Sequence, residues 1–573
     1  MKDLLKYLKP YRKECIIAPL FKMIEATFEL FIPIVVSYII TEGIGMKNTS
    51  AIIWSIVIMV SLAIIGYIFA ITAQYFSAKA AIGFSKGVTD DLYEHIQTLS
   101  FADLDKIGIN SLITNMSSDI TQMQTGVNMF LRLVLRSLFV VVGAVVMAFV
   151  VNPETAYIFV IIVPVLAIFV FLLTYLSIPL IKKAQVKLTT LLKKTRDNLG
   201  GVRVIRAFNL EETESKSFKQ SNDDFTSFQI FVGKINSLLN PITFVLINLG
   251  IIGIIYVGGI QVNSGIISNG DVVAQYNYMS QILIELIKFA NFTITINKAI
   301  ACSKRVGSVF QIKNTQYFPT ESIISNDSDI AVEMNNCALC YPNNLSNSIE
   351  GVNLKVKKGE TVGIIGGTGS GKTSLINLLP RFYDLTEGTI ELFGNDINSY
   401  SKKDLRKMVG TVLQNNILFN GTILENLKMA NNPTDEEIKK ALEIAQALDV
   451  INSKKEGLNA TVNQGGTNFS GGQKQRLAIA RTLISNPKIL ILDDSSSALD
   501  YLTDKNLREN IKKLNKDITL FIVSSRIASI IDADKIVVLD EGKVMGIDTH
   551  QNLLNNCQVY KQIYLSQYEK EGL

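Results

Sequence analysis

Stretches without a single charged side chain divide the first half of the sequence. Residues 51–78, 155–181 and 235–270 contain none, and each exceeds the ~20 apolar residues that carry a helix across a bilayer core. A shorter uncharged run, 137–153, reaches spanning length when Leu133–Leu135 are added. Two more apolar stretches carry charges: Ile16–Ile40 with Lys22, Glu25 and Glu29, and Val272–Asn297 with Glu285 and Lys288. They are read as spans because they complete the alternation of the loops, which makes six. The connections 79–130 and 182–234 are too long for simple loops. They keep apolar residues at helical spacing, such as Leu188, Leu191, Leu192 and Leu199. This pattern predicts helices that run on beyond the membrane and turn back near Phe101–Ile109 and Ile205–Glu212.

After residue 300 the pattern changes. Residues 301–328 lose the apolar periodicity and end rich in Ser, Asn and Asp, as a linker does. From there short β-branched runs alternate with helical segments: Thr361–Ile365 precedes an apolar helix at Ser374–Leu379, and Ile489–Leu492 reads as a buried strand. The expected organisation is a multidomain membrane protein. It has an all-α six-helix transmembrane domain over 1–300 with long cytosolic extensions, a linker over 301–328 and an α/β domain over 329–573.

Charge orients these spans. Lys2, Lys6, Lys9, Arg12 and Lys13 precede the first one, while the connection 41–50 has Lys47 as its one base and those at 152–154 and 263–271 have none. The connections after spans two and four are base-rich, with Lys182, Lys183, Lys187, Lys193, Lys194, Arg196, Arg203 and Arg206. The positive-inside rule then puts both termini and the α/β domain in the cytosol. The opening residues do not read as a cleavable signal, because the apolar stretch is too long and lacks a small-residue cleavage site. Arg132 and Arg136 are expected at the cytosolic membrane boundary. Glu25, Glu29, Glu285 and Lys288 are candidates for a substrate cavity or for ion pairs within the bundle. The formal net charge of +5 calls for no nucleic-acid partner, since the bases cluster beside spans, where they meet lipid headgroups. Cys337 and Cys340 form a lone C-x-x-C without a second pair or nearby His, so they read as structural thiols.

The α/β segment carries the chemistry. Gly366-Gly367-Thr368-Gly369-Ser370-Gly371-Lys372-Thr373 fits G-x-x-x-x-G-K-[ST] between a strand and a helix that opens at Ser374. The glycines let consecutive N–H groups face phosphates, Lys372 adds positive charge at the β- and γ-phosphates, and the Thr373 hydroxyl can ligate Mg²⁺. Ile489–Asp493 is an apolar strand that delivers a carboxylate, Asp493, to its carboxyl end as a second Mg²⁺-side ligand. Between the two lies Asn468-Phe469-Ser470-Gly471-Gly472-Gln473, a helix start that presents N–H groups and a hydroxyl to a phosphate.

With these residues the chain resembles the ATP-binding-cassette transporters, specifically exporters that fuse six spans to one cassette. Ser470, Gly471, Gly472 and Gln473 match the family signature, with Phe469 where Leu is usual. The resemblance implies that they serve the ATP held by a partner cassette. It further implies that Tyr341 stacks on adenine, that Gln414 joins Mg²⁺ and the attacking water to the membrane half, and that Ser497-Ala498-Leu499-Asp500 is the loop after the second carboxylate. Phe101–Ser111 and Ile205–Glu212 look like the coupling turns of this architecture.

Two positions depart from the family pattern. Asp494 stands where active members carry the Glu that orients the attacking water, and Ser525 stands where a His contacts the γ-phosphate. The chain has two histidines, His95 and His550, and neither is at that site. Gln464 and Gly465 also replace a usual Glu-Arg pair ahead of the signature. The resemblance therefore implies an ATPase coupled to efflux of an amphipathic or drug-like substrate across the plasma membrane, with ATP and Mg²⁺ as cofactors. This chain would be the degenerate half of a heterodimer, and its partner would carry the catalytic Glu and His. A slow homodimeric exporter and an ATP-gated channel or regulator are the competing expectations.

Overall fold

The computed structural model describes residues 2–325, 327–342, 344–429, 432–495, 498–514 and 518–568. They fall into two compact units. One holds residues up to Gln97 together with Asn110–Ile312, and the other holds Thr98–Ile109 together with the residues from Lys313 on.

In the first unit the uncharged runs become long helices. Among the described residues six are long and apolar enough to cross a membrane: Leu4–Gly45, Thr49–Thr98, Ile109–Val151, Pro153–Gly200, Glu211–Asn263 and Asn269–Gln311. The breaks between them are local. Asn152 accepts a hydrogen bond from the Thr155 N–H at 3.0 Å and Pro153 occupies the first helical position, a start that loses no backbone bond. Ser268 and Asp271 form a reciprocal capping box that begins the sixth helix. The second turn-back is a short helix, Val202–Ala207, after which Glu211 starts the fifth long helix.

Arg136 is buried among three helices, donating from Nη1 to Glu285 Oε1 at 2.7 Å and from Nη2 to both Glu29 oxygens at 2.9 and 2.7 Å. Ser137 Oγ and Lys288 Nζ also donate to Glu285, and Lys22 pairs with Glu25 at 2.5 Å. A charge in hydrocarbon is costly unless paired, and this cluster of three acids and three bases is neutral overall. The charged span residues are thus ion-paired within the bundle. They also belong to a regular seam on the sixth helix, where Asp271, Tyr278 and Glu285 recur every seven residues and so share one face. Asp271 accepts from Ser37 Oγ at 2.8 Å, Tyr278 donates to the Leu30 carbonyl at 2.7 Å, and Glu285 reaches Glu29 through Arg136.

Residues 301–311, expected as the start of a linker, continue the sixth helix instead. Cys302, Val306 and Val309 lie on one helical face and are buried, and Arg305 holds Asp119 of the third helix through two bonds of 2.8 and 2.6 Å. Three apolar residues at this spacing were too few to stand out among the Ser, Lys and Arg around them.

The second unit is built on strands β1 (Ile330–Leu339), β2 (Ile349–Lys357), β3 (Thr361–Gly366), β4 (Glu387–Leu392), β5 (Asn395–Asp396), β6 (Val409–Val412), β7 (Gly421–Thr422), β8 (Thr461–Val462), β9 (Ile489–Asp493), β10 (Thr519–Val523), β11 (Lys535–Asp540) and β12 (Lys543–Asp548). The central sheet runs β12-β11-β3-β10-β9-β6, parallel except for β12. An antiparallel sheet β2-β1-β4-β5 accompanies it. Alternation sorts the central strands onto two faces. Val362, Ile364, Ile489, Ile491, Phe521 and Val523 pack with the antiparallel sheet, whereas Ile365, Leu490, Leu492, Leu520 and Ile522 pack with helices through Ile438, Leu477 and Ile479. A sheet buried on both faces needs such uninterrupted apolar strands.

Helix Phe101–Ile107 packs in this unit. Its cap is reciprocal, Ser100 with Asp103, and Asp103 also accepts from the Thr315 N–H at 3.2 Å. The Phe101 ring lies 4.8 Å from that of Phe382, and the Tyr383 hydroxyl donates to Asp105 Oδ2 at 2.5 Å.

Candidate nucleotide-binding site

The parallel strands β3, β9 and β10 deliver the candidate residues to one edge. β3 ends at Gly366, the loop Gly367–Gly371 follows, and a helix begins at Lys372. Gly369 and Gly371 have φ of 83° and 95°, a region open to glycine and strained for other residues. At Gly366 a Cβ would sit 2.1 Å from the Leu539 carbonyl oxygen and 2.5 Å from Ser370 Oγ, so backbone must pass where a side chain cannot. Lys372 Nζ donates to the Gly366 and Gly367 carbonyls at 2.9 and 2.7 Å. Burial lowers its pKa, against the pull of Asp494 and Asp493.

Asp493 ends β9, where it is almost wholly buried, and accepts from Thr373 Oγ1 at 3.4 Å. Burial pushes its carboxyl up to about 6, with the neighbouring Asp494 adding to the shift and Thr373 and Lys372 opposing it. A carboxyl so disfavoured as an anion gains from a cation beside it. Thr373 and Asp493 are the pair that could hold Mg²⁺. Ser370 Oγ is buried and lacks a hydrogen-bond partner among the described residues, which suits a loop whose donors and acceptors are completed by a phosphate. The residues present therefore fit a nucleoside triphosphate with its metal.

Asp494 continues from β9 with φ of 45°. Its N–H donates to the Val523 carbonyl at 3.0 Å, and its own carbonyl accepts from Gln475 Nε2. In the parallel register Asp493 pairs with Val523, so Asp494 and Ser525 leave adjacent strands at the same end. Ser525 is exposed. Gln414 lies two residues beyond β6, whose Val412 pairs with Leu492, and its exposed side chain leaves the sheet at that edge too.

Tyr341 follows β1 closely, and its hydroxyl is 3.1 Å from Ser374 Oγ, at the start of the phosphate-loop helix. Its ring meets Tyr383 edge-on at 4.9 Å. Tyr383 was not singled out in the sequence; an aromatic pair directly after the phosphate-loop helix, Phe382-Tyr383, was the available signal.

The signature residues form a separate group. Ser470 caps helix Gly471–Ile484 in a capping box with Gln473, whose N–H donates to Ser470 Oγ at 3.3 Å. Phe469 is buried in the apolar cluster beneath, so a larger apolar side chain than Leu is accommodated there. At Gly472 a Cβ would approach the Ala498 carbonyl oxygen to 2.8 Å, whereas at Gly471 it would meet only the Ala498 Cβ at 3.5 Å. Gly465 has φ of 68°, a conformation that the Arg usual there rarely adopts. Ser497, in the loop after the second carboxylate, lies outside the described residues. His95 and His550 are far in sequence from the site and make other contacts: His95 Nε2 is 3.1 Å from the Val309 carbonyl, and His550 Nδ1 is 2.7 Å from the Tyr560 hydroxyl.

Comparison with known proteins agrees with this geometry. Residues 15–286 match the ABC transporter transmembrane region and residues 349–497 match the ABC transporter domain. The chain is 31% identical over 574 residues to the uncharacterized ABC transporter ATP-binding protein YfiB of Bacillus subtilis, covering 100% of this chain and 99% of that one. It is 29% identical to the putative multidrug export ATP-binding/permease protein YgaD of the same organism, with 99% of each covered. An ATP-dependent lipid A-core flippase of Syntrophus aciditrophicus is 29% identical over 84% of this chain and 80% of its own. A solved structure of a bacterial Atm1-family ABC exporter with ATP bound superposes with a TM-score of 0.80 at 21% identity, covering 97% of this chain and 99% of that one.

Proposed function

This chain belongs to the ABC transporters, and we propose that it is the degenerate-site half of a heterodimeric exporter that expels an amphipathic or drug-like substrate. Membership and fold make it a multi-pass membrane protein whose cassette couples ATP use to transport. The finer reading concerns which half of the pair it is. Gly366–Thr373, Ser374 and Tyr341 bind ATP in it, Thr373, Asp493 and Gln414 hold Mg²⁺, and Ser470–Gln473 complete the partner's site. The partner brings a catalytic Glu and the switch His. The domains work as a transmembrane part over 1–300, a connection over 301–328 whose first residues, to 311, prolong the sixth helix, and a cassette over 329–573. Both termini and the cassette face the cytosol at the plasma membrane, as the basic connections favour.

One observation carries this reading: Asp494 and Ser525 leave neighbouring strands beside an intact phosphate loop. Asp is one methylene shorter than Glu, so its oxygens stand back by about 1 Å, and a misplacement of that size costs on the order of 10²-fold in rate. ATP then closes the cassettes at both sites while hydrolysis falls mainly to the partner's. Names of relatives that act on drugs or lipid A support an amphipathic cargo.

Purified alone, the chain should bind a fluorescent ATP analogue and hydrolyse ATP slowly or not at all. Turnover of several per second by the isolated chain overturns the heterodimer reading. Co-purification of a second half with Glu and His at the two positions supports it, and vectorial transport by the reconstituted pair separates a pump from an ATP-gated channel.

A further inference from the structure

We propose that the first unit binds an anionic phospholipid in a cleft beside its N-terminal helix, with the acyl chains against apolar walls and the headgroup phosphate on Lys9 and Arg12. The segment Lys2–Tyr11 is helical and amphipathic. One side of it is fastened to the second long helix: Tyr7 packs edge-on against Phe84, its hydroxyl donates to Asp91 at 2.7 Å, and Lys6 lies 3.8 Å from the same carboxylate. The other side, with Leu5 and Leu8, overlooks a cleft of about 820 Å³. This is within the range of roughly 300–1,000 Å³ typical of small-molecule sites.

The cleft is amphiphilic in its layout. Phe84, Met123, Val127, Phe130 and Ile300 contribute apolar walls, and among the lining residues only Lys9, Arg12, Cys15 and Ser303 are polar. Phe130, Leu5 and Ile16 are about half or more exposed, at 54%, 48% and 69%. Such a surface is poorly suited to water, so an acyl chain is its fitting neighbour. Lys9 and Arg12 are three residues apart, hence on one side of the helical turn. Asp91 is already engaged by Lys6 and Tyr7, and neither Lys9 nor Arg12 has an ion-pair partner among the described residues. Two bases beside an apolar cleft, where the chain enters its first span, complement a phosphate attached to acyl chains. This inference stands apart from the nucleotide-site reading, because no residue of the cassette takes part.

The test uses the full chain purified in detergent, with phosphatidylglycerol and phosphatidylcholine of identical acyl chains, read by native mass spectrometry. Phosphatidylglycerol should be retained preferentially. Each base near a membrane surface contributes roughly a factor of five, so Lys9→Gln with Arg12→Gln should reduce that preference by about twenty-five-fold. Both positions are exposed, so the double variant should fold, and binding of a fluorescent ATP analogue checks that it does. Val127→Trp, which fills the cleft, should reduce retention of both lipids. A photoactivatable phosphatidylglycerol should label peptides containing residues 4–16, 123–131 or 296–303. Equal retention of the two lipids by the unaltered chain, an unchanged preference in the double variant, or labelling confined to other peptides overturns the proposal. So does labelling that disappears when the chain is assembled with a second half, since protein rather than lipid would then cover the cleft.

Discussion

Replacing Asp494 by Glu and Ser525 by His tests the proposal that the candidate site falls short of a full ATPase centre. The backbone is held by the sheet at Asp494 and directly before Ser525: Asp494 N–H donates to the Val523 carbonyl at 3.0 Å and Ser524 N–H to the Ile364 carbonyl at 3.1 Å. The replacements therefore alter reach and leave the scaffold in place. Asp494→Glu adds one carbon–carbon bond, about 1.5 Å, and so restores the reach, but a gain on the order of 10²-fold requires the γ-phosphate to be held as well. Its cost in stability is small. Asp494 has φ of 45°, a region that Asp occupies more readily than Glu, so the change should lose under about 1 kcal/mol. Ser525→His restores a contact to the γ-phosphate that a hydroxyl on one carbon cannot reach. Both groups act in one transition state, and residues acting as a unit are strongly non-additive. Each single change should raise turnover by less than about tenfold and the double change by on the order of 10²-fold. ATP hydrolysis is measured in a complex whose other site has lost its catalytic Glu, so that this site alone reports. If Asp494→Glu by itself matches the double variant, Ser525 is no defect and this account of the site is refuted.

Three further outcomes follow from the geometry. Lys372→Ala removes an ammonium that would sit near the β- and γ-phosphates, where about 4 kcal/mol is the scale of one charge pair at 4 Å and an effective dielectric of 20. Affinity for a fluorescent ATP analogue should fall by up to on the order of 10³-fold, and a change below threefold contradicts the role. Gly472→Glu should abolish most ATPase of the assembled complex, whereas Gly471→Ala, with only an ordinary contact to make, should leave thermal stability nearly unchanged. An undiminished rate in Gly472→Glu means that the competent site is built without this helix. Arg136→Met removes the base that holds Glu29 and leaves the cluster one positive charge short, although Lys288 and Ser137 still reach Glu285, a loss of about 3–5 kcal/mol for a broken buried pair. It should lower the unfolding temperature in detergent, and adding Glu285→Gln should recover part of the loss; no recovery would show that the cluster is not held by charge balance.

Contiguous features were legible in the sequence and distant pairings were not. The spans announced themselves as uncharged runs, and the phosphate loop as one string of eight residues between a strand and a helix. Thr373 and Asp493, which meet at 3.4 Å, are 120 residues apart; the phosphate-loop motif and the strand ending in a carboxylate suggested a shared metal, but not their contact. The ion pairs of Arg136 were not legible, because a basic residue near the end of an apolar run looks the same whether it faces headgroups or carboxylates. Its partners Glu29 and Glu285 come from helices more than a hundred residues away on either side. The helical run 301–311 was obscured because three buried residues among polar ones give a weak periodic signal, and its support from Asp119 is again long-range.

The grouping of Thr98–Ile109 with the cassette bears on how this protein can be cut into parts. An expression fragment beginning near Lys313 would omit a piece of the cassette's own packing. Phe382 would lose the ring of Phe101, Tyr383 its acceptor Asp105, and the Thr315 N–H its acceptor Asp103. Tyr383 is also the neighbour of Tyr341, so the excision would loosen the aromatic corner beside the phosphate-loop helix. A faithful soluble fragment would need the twelve residues from 98 to 109 supplied as well, joined through a short designed linker or added as a separate peptide.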